Sequence, residues 1–269
     1  MPSSEKDIKA IYGTDAACAL WLFPYHTVGF TKILDYELNV DFNALEQYPD
    51  DYQNWHKGDI SLMSAIVQYT PRPKYIQDIG KKVINDLFGE NAVFMSMHWR
   101  YDEEDWVLHC QRESYADSQT CKVVMRAIQN PQDVSAKLVE YIQGVLDSGI
   151  YLTGIYIAAP LDAVDLIRSI TEGIHSAGIE GFVVATAEHS MPIVEAMYPD
   201  CPYMVEQMHD LFSLIDMELC TKSRIFSRSG GSSWSLNVAQ ERHVHGTDEK
   251  DFENLSLLSE GALNLEFDE

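Results

Sequence analysis

The alternation of apolar and polar positions is most regular from residue 72 onward. Apolar side chains recur there at helical spacing, at Ile76, Ile79, Val83, Ile84 and Leu87. Gly89 follows them and predicts the end of that helix, because glycine is the usual residue just past a helix terminus. Residues 92–97 form an apolar run that predicts a buried strand. This region of the chain therefore begins with a helix followed by a strand.

The same alternation continues toward residue 246. Apolar runs predict further strands over residues 122–128, 151–158, 181–186 and 224–226. Amphipathic spacing predicts helices over residues 134–149, 162–177, 208–220 and 233–242. Helices that alternate with apolar strands are typical of a parallel sheet covered on both faces. We therefore predict an α/β fold with a doubly wound, Rossmann-like parallel sheet over residues 72–246.

The segments on either side of this region are less regular. Residues 10–30 fit a strand or a buried helix equally well, residues 41–59 predict an irregular connection, and residues 60–68 predict a short helix. Residues 247–269 carry eight acidic side chains against Lys250 and are interpreted as an acidic tail. The predicted organisation is a short segment 1–71, a domain 72–246 and a tail 247–269.

The charge balance excludes one class of partner. The formal net charge is −23, of which −7 lies in residues 247–269, so about −16 remains on the rest of the chain. Affinity for nucleic acid comes mainly from lysine and arginine, so we expect no nucleic-acid partner. An anionic substrate would need a local basic pocket that overcomes the overall negative field.

The sequence leaves the compartment open. Residues 1–9 are polar and do not resemble a signal peptide, and no apolar run is long enough to span a membrane. Asn254 begins an Asn-Leu-Ser glycosylation pattern, which is short enough to occur by chance. The cysteines fit reduced thiols as well as two disulfides plus one free thiol; they are Cys18, Cys110, Cys121, Cys201 and Cys220.

His98 and Arg100 arrive at the carboxyl end of the first predicted strand. Ligands bind at that end in open α/β sheets, and arginine holds planar anions through two parallel hydrogen bonds. The alternative is structural: His98 would be a hydrogen-bonded histidine at a strand end, and Arg100 a surface ion-pair partner of Asp102 or Glu104. The His-x-Arg tripeptide alone does not decide between these interpretations.

A second candidate is the sequence SGGSSWS at residues 229–235, between a short strand and a helix. Adjacent glycines permit close approach of the backbone to a ligand, and the amino terminus of a helix attracts phosphate. Ser232, Ser233 and Ser235 add hydroxyl groups at the same place. The alternative is a flexible loop in which Ser232 or Ser233 caps the helix.

Other polar residues give weaker indications. Glu241 and Arg242 lie near the end of the last predicted helix, where such residues usually face solvent. His243 and His245 could bind a metal, but they lack a third ligand at a suitable spacing.

Taken in order along the chain, these residues resemble the GDP-fucose protein O-fucosyltransferase family over about residues 70–246. The first block of matching residues is His98, Arg100, Asp105, Trp106 and Cys110. The second block is Asp216, Cys220, Phe226, Ser232, Ser233, Trp234, Glu241 and Arg242. The resemblance corresponds to the nucleotide-binding half of a two-domain glycosyltransferase of the GT-B type, with residues 1–71 as a reduced acceptor-side segment.

The resemblance implies transfer of fucose from GDP-fucose to a serine or threonine hydroxyl of a protein acceptor, with inversion and without a metal cofactor. Arg100 would be the catalytic residue and would contact the β-phosphate as GDP leaves. The substrate-binding residues that it implies are His98, Arg100, Asp216, Phe226, Ser232, Ser233 and Trp234. It also implies work in the lumen of the secretory pathway, whereas the polar amino terminus fits a cytoplasmic protein or a truncated chain.

The chain departs from the family pattern at one strand. The family's strand before the helix at residue 162 ends in Ala-Thr-Asp, whereas here it ends in Ala158-Ala159-Pro160. The nearest acid is Asp162, and Glu188 is a displaced candidate. The alternative function is a catalytically inactive nucleotide-binding or scaffold domain whose acidic tail engages a basic partner.

Overall fold

The computed structural model describes residues 71–101, 103–111, 119–160, 163–201, 208–230 and 232–258. The elements expected before residue 71 lie outside these residues. Within the described residues, five strands form one sheet in which every pair of neighbours is parallel. The strands are β1 (Met95–His98), β2 (Gly154–Ala158), β3 (Val183–Thr186), β4 (Ile225–Arg228) and β5 (Phe252–Glu253). Their order across the sheet is β3-β2-β1-β4-β5.

Helices connect the strands and cover the sheet. They are α1 (Lys74–Phe88), α2 (Glu103–Cys110), α3 (Gln119–Gln129), α4 (Pro131–Asp147), α5 (Val164–Ser176), α6 (Ala187–Met197), α7 (Met208–Lys222) and α8 (Ser233–Val244). A short 3₁₀ helix, Asn254–Leu258, follows β5. Helix α1 ends as predicted, because Gly89 takes a φ of 97° that glycine accepts without strain.

Side chains that alternate along the strands divide the core between the two faces of the sheet. Met95 and Met97 of β1 belong to a cluster that also contains Leu138 of α4 and Ile170 of α5. The opposite face is covered by α1 and α7, and its cluster includes Ile79, Tyr156, Ile215, Leu219 and Phe226. Helices therefore pack on both faces, which confirms the predicted doubly wound α/β fold.

Three local predictions differ from the structure. Residues 122–128 form part of helix α3 instead of a strand, because Cys121, Val124 and Ala127 are buried at a spacing of three, which matches a helix. Helix α2 lies between residues 97 and 122, where no element is predicted from the sequence. Helix α6 is absent from the sequence-based prediction, and its interior Pro192 is of a type that usually interrupts helices.

The described residues include 247–258, which lie within the predicted acidic tail. Phe252 and Glu253 form β5 at the edge of the sheet, paired with residues of β4. Leu255 and Leu257 are buried in the core cluster of the first face. Although residues 247–258 are acidic in composition, they contain a strand and a helical turn that extend the sheet and its core.

Disulfides resolve part of the ambiguity about the cysteines. Cys110 at the end of α2 is bonded to Cys121 in α3, and this bond ties the two helices together. Cys201 is also disulfide-bonded, whereas Cys220 is a buried free thiol. Among the described residues, no helix combines the length and the apolar character needed to cross a membrane.

Candidate functional site

The order of the strands creates a crevice at the carboxyl ends of β1 and β4. Strands β2 and β3 lie on one side of β1, whereas β4 and β5 lie on the other. The connections therefore diverge at β1, and such a point of divergence is where open α/β sheets bind ligands. His98 ends β1, and Ser229, Gly230 and Ser232 follow β4. The structure thus brings the two candidate stretches of the sequence to one edge of the sheet.

His98 is a buried, neutral imidazole in this crevice. Its Nδ1 atom lies 2.7 Å from the hydroxyl of Ser235, and its ring stacks on Trp234 with centroids 4.2 Å apart. Burial, with a smaller contribution from the charge of Arg100, lowers the pKa of His98 to about 3. The side chain can therefore orient a ligand through hydrogen bonding, but it does not contribute positive charge near neutral pH.

Arg100 lies two residues beyond β1 and is exposed. Its backbone amide donates a hydrogen bond of 3.0 Å to the hydroxyl of Ser229, in the loop that follows β4. Tyr101 donates a second hydrogen bond across the crevice, from its hydroxyl to the carbonyl of Gly230 at 3.3 Å. These bonds hold the segment after β1 against the segment after β4, so Arg100 stands beside the glycine-serine loop.

The loop after β4 ends in a capped helix. Ser232 is the N-cap of α8, and its hydroxyl accepts a hydrogen bond of 3.3 Å from the amide of Ser235. Ser233 begins the helix and is exposed, whereas Trp234 is half-buried. The carboxylate of Glu253 lies against Gly230, so a larger residue there would displace the end of the Glu253 side chain. The positive end of the helix dipole therefore lies at the same edge of the sheet as Arg100.

The rest of the first matching block falls on α2. Trp106 packs edge-on against Tyr101, with ring centroids 5.1 Å apart, so it supports the segment that follows β1. Cys110 forms the disulfide with Cys121 that fastens α2 to α3. Nothing is described of the side chain of Asp105, nor of the side chains of the two ion-pair partners suggested for Arg100. In the structure, Trp106 and Cys110 therefore have structural roles behind the crevice.

Asp216 lies on α7, on the face of the sheet that α1 and α7 cover. Its carboxylate accepts a hydrogen bond of 2.6 Å from the hydroxyl of Tyr156, which is fully buried in β2. Burial raises the pKa of Asp216 from 3.8 to about 7, although the bond from Tyr156 opposes the shift. Among the described residues, Asp216 is therefore bonded to a core tyrosine and lies outside the cluster around His98.

The raised pKa of Asp216 predicts a specific dependence of stability on pH. Its stabilising contribution is fully present below about pH 4 and declines as the pH rises to 7, because the folded state holds a proton that the unfolded state releases. Between about pH 5 and about pH 8 we expect this group to lower the unfolding free energy by about 2 to 3 kcal/mol. Asp216→Asn should remove that decline in denaturant unfolding measured at both pH values.

The exposed Asp133 provides a matched control for this measurement. It pairs with Arg126 on the surface at 3.1 Å, so Asp133→Asn should leave the pH dependence of the unmodified protein nearly unchanged. An equal pH dependence in Asp216→Asn and in the unmodified protein would contradict the assignment of the proton to Asp216.

Phe226 is fully buried within β4, next to Ser96 of β1 in the register. Its ring belongs to the core cluster under α1 and α7. The structure therefore places it beneath the crevice and not on its surface. Of the residues singled out from the sequence, those that share the crevice are His98, Arg100, Ser232, Ser233 and Trp234.

The chain is similar in fold to two solved structures of one protein. Both are structures of POFUT1, a GDP-fucose protein O-fucosyltransferase, in complex with GDP. Each is 16% identical to this chain with a TM-score of 0.46. The similarity covers 72% of this chain and 51% and 50% of the two POFUT1 chains, so it extends over about half of their length. This is a distant likeness of fold. No protein-family model and no curated protein sequence matches the chain.

The expectation that Glu241 and Arg242 face solvent is wrong. Arg242 is 0% exposed, and Glu241 lies 2.7 Å from Nη1 of Arg72 in a partly buried ion pair. Arg72 also contacts Glu218 of α7 at 2.6 Å, so it joins α7 to α8. These side chains are therefore part of the packing between helices.

The two histidines at the carboxyl end of α8 give no support to a metal site. His243 is exposed and pairs with Asp248 at 2.7 Å, and His245 is exposed at the end of the helix. No group of three metal-binding side chains occurs in the part of the chain that the structure describes.

Ser229 and Asn254 join the site although the sequence does not single them out as functional. The hydroxyl of Ser229 donates to the carbonyl of His98 at 2.6 Å, and the side-chain Nδ2 of Asn254 donates to the same carbonyl at 2.8 Å. In the sequence, Ser229 is only the first letter of a serine-rich loop. Asn254 is only the start of a glycosylation pattern 156 residues away from His98, so no local pattern connects them.

Proposed function

We propose that the crevice between β1 and β4 binds GDP-fucose and that the protein transfers fucose to a serine or threonine hydroxyl of a protein acceptor. The proposed transfer inverts the configuration at the anomeric carbon of fucose and needs no metal. One observation carries the proposal: five of the family-like residues share the crevice at the carboxyl ends of β1 and β4, with Arg100 beside the loop that leads into α8. They are His98, Arg100, Ser232, Ser233 and Trp234.

Two sources of positive charge lie at the crevice, while the carboxylate of Glu253 lies against Gly230 in the loop after β4. Arg100 stands on the β1 side, and the capped amino terminus of α8 contributes its dipole and the exposed Ser233 from the β4 side. An anion that reaches this edge meets both. A diphosphate fits this arrangement because it has oxygen atoms for each side, and arginine pairs with phosphate through two parallel hydrogen bonds.

Each remaining candidate has a role that follows from its burial. His98 is neutral, so it would orient the diphosphate or the nucleoside without adding charge. Ser232 fixes the start of α8, and Trp234 would offer part of its indole to the base or the ribose. Phe226 and Asp216 would support the floor of the site from within the core.

Glu188 is the candidate for the acid that the family has near the nucleoside. It is exposed in the first turn of α6, directly after β3, at the same edge of the sheet as the crevice. Strand β3 lies two positions from β1 in the sheet, about 10 Å away. An extended nucleotide that lies across β1 and β2 would bring its nucleoside toward this carboxylate.

A thermal-shift titration tests nucleotide binding. GDP and GDP-fucose at about 100 times their dissociation constants should stabilise the protein by about 2.7 kcal/mol, which corresponds to a rise in Tm of about 5 to 10 °C. ATP and UDP-glucose at the same concentrations should produce a much smaller rise. Equal shifts with all four compounds, or no shift with any, would contradict guanine-nucleotide binding.

A transfer assay separates the enzyme from the alternative of an inactive nucleotide-binding scaffold. The measured quantity is labelled fucose that passes from GDP-fucose to serine- or threonine-containing acceptor domains. Two results together would favour the scaffold. The protein would bind GDP selectively, and it would neither transfer fucose to any acceptor nor release GDP from GDP-fucose by cleavage.

A further inference from the structure

The carbonyl of His98 lies at the centre of a buried group of hydrogen bonds that joins three segments of the chain. It accepts a hydrogen bond of 2.6 Å from the hydroxyl of Ser229 and one of 2.8 Å from Nδ2 of Asn254. Nδ2 of Asn254 also donates to the hydroxyl of Ser229 at 3.2 Å. The amide of Arg100 donates to the same hydroxyl at 3.0 Å. The ends of β1, β4 and β5 are therefore connected through polar atoms.

This group has few alternative arrangements. The carbonyl of His98 accepts two hydrogen bonds, one for each lone pair, and the hydroxyl of Ser229 donates once and accepts twice. Asn254 is 0% exposed and Ser229 is 2% exposed, so water does not compete for these bonds. Because the group includes the amide of Arg100, it sets the direction in which the chain leaves β1.

The hydrogen bonds of Asn254 explain its presence better than core packing does. Its Oδ1 atom is buried without a hydrogen-bond partner in the part of the chain that the structure describes. An unpaired buried oxygen costs free energy, so packing alone would favour an apolar side chain here. The NH₂ end makes both recorded bonds, which explains why an amide is present.

We infer that Asn254 is a positioning residue for the proposed GDP site. It holds the His98 carbonyl and the Ser229 hydroxyl in place, and Ser229 in turn fixes the backbone at Arg100. The inference rests on the proposed function and adds to it a residue of the 3₁₀ helix after β5, outside the region of family resemblance. The burial of Nδ2 and its two bonds also make Asn254 a poor acceptor for glycosylation in the folded protein.

The test compares Asn254→Asp with Asn237→Asp. The first change replaces the donating NH₂ by an oxygen atom that faces two acceptors, whereas Asn237 is exposed on α8 and provides the same chemical change on the surface. Amide hydrogen exchange at Arg100 should become at least about tenfold faster in Asn254→Asp, because the hydroxyl of Ser229 loses its orientation. GDP affinity, measured by calorimetry, should fall about tenfold. Asn237→Asp should change neither quantity.

A second variant and a measurement on the unmodified protein separate failure of this inference from failure of the proposed function. Ser229→Ala removes the direct partner of the Arg100 amide, so it should reproduce both effects and serves in place of Asn254→Asp if that variant does not fold. Unchanged exchange at Arg100 in these variants, or faster exchange with unchanged GDP affinity, would overturn the inference. Absence of GDP binding by the unmodified protein would count against the proposed function, while the exchange measurement, which needs no ligand, decides on the contact of Asn254 with the site.

Discussion

Replacement of Arg100 by alanine is expected to reduce fucose transfer severely while the protein remains folded. In the proposed reaction the guanidinium offsets the negative charge that develops on the diphosphate as GDP leaves. Removal of one preorganised contact of this kind typically costs about 3 to 4 kcal/mol of barrier, which corresponds to a loss of about 10² to 10³ in kcat. The side chain is exposed, so its loss leaves no cavity in the core. The measurements are kcat/KM for transfer and the Tm of the variant.

Two companion variants sharpen the result for Arg100. Arg100→Lys keeps the charge but loses the planar pair of donors, so we expect activity between that of the alanine variant and the unmodified protein. Arg168→Ala removes another exposed arginine, one that pairs with Asp165 at 3.1 Å on α5, and should leave transfer unchanged. Turnover by Arg100→Ala equal to that of the unmodified protein would refute the catalytic role.

Replacement of Arg242 by methionine is expected to lower the free energy of unfolding by about 3 to 5 kcal/mol. Arg242 is fully buried and forms two parallel bonds with Asp251, from Nε at 2.6 Å and from Nη2 at 2.8 Å. Its other donors reach backbone carbonyls, including those of Ser223 at 2.6 Å and Thr247 at 2.6 Å. Methionine would leave the Asp251 carboxylate and these carbonyls without this donor. Urea unfolding with the disulfides intact measures the loss.

Variants of Asp251, the ion-pair partner of Arg242, and of the surface residue Arg224 provide the controls. In the double variant Arg242→Met/Asp251→Leu the uncompensated carboxylate is absent, so part of the lost stability should return. Arg224→Met changes an arginine whose side chain is 44% exposed and lies 4.0 Å from Glu249, so it should cost less than about 1 kcal/mol. A loss below that value in Arg242→Met would show that the buried pair contributes little to stability.

The repeating part of the fold could be predicted from the sequence because it depends on local spacing. The apolar run before His98 forms a strand that is buried on both faces, and the helical spacing from Ile76 to Leu87 corresponds to one face of α1. The prediction for residues 122–128 is wrong because a short apolar run fits a strand and a buried helix equally well. Its helical state depends on contacts with α2 and α4, to which the Cys110–Cys121 bond contributes.

The site was predictable only in part, for a related reason. His98, Arg100 and the serine-rich loop stand at the ends of apolar runs, where the sequence itself points to the carboxyl edge of a sheet. The environments of Arg242 and Asn254 depend on partners that the chain brings together from elsewhere in the fold. The sequence suggests that both side chains are exposed, because an arginine near a helix end and an asparagine in an acidic segment usually are. Both are buried in the structure.

The position of Asn254 in the chain has a consequence for the order in which the site is assembled during synthesis. His98 leaves the ribosome 156 residues before Asn254, and Arg242 leaves it nine residues before Asp251. The helices and strands that surround His98 can begin to fold while the segment that fastens them is still being translated. We therefore expect nascent chains that stop before residue 251 to become compact. In such chains the segment that follows β1 would lack the hydrogen bonds that hold it in place. Binding competence would be acquired only after Asn254 has been translated.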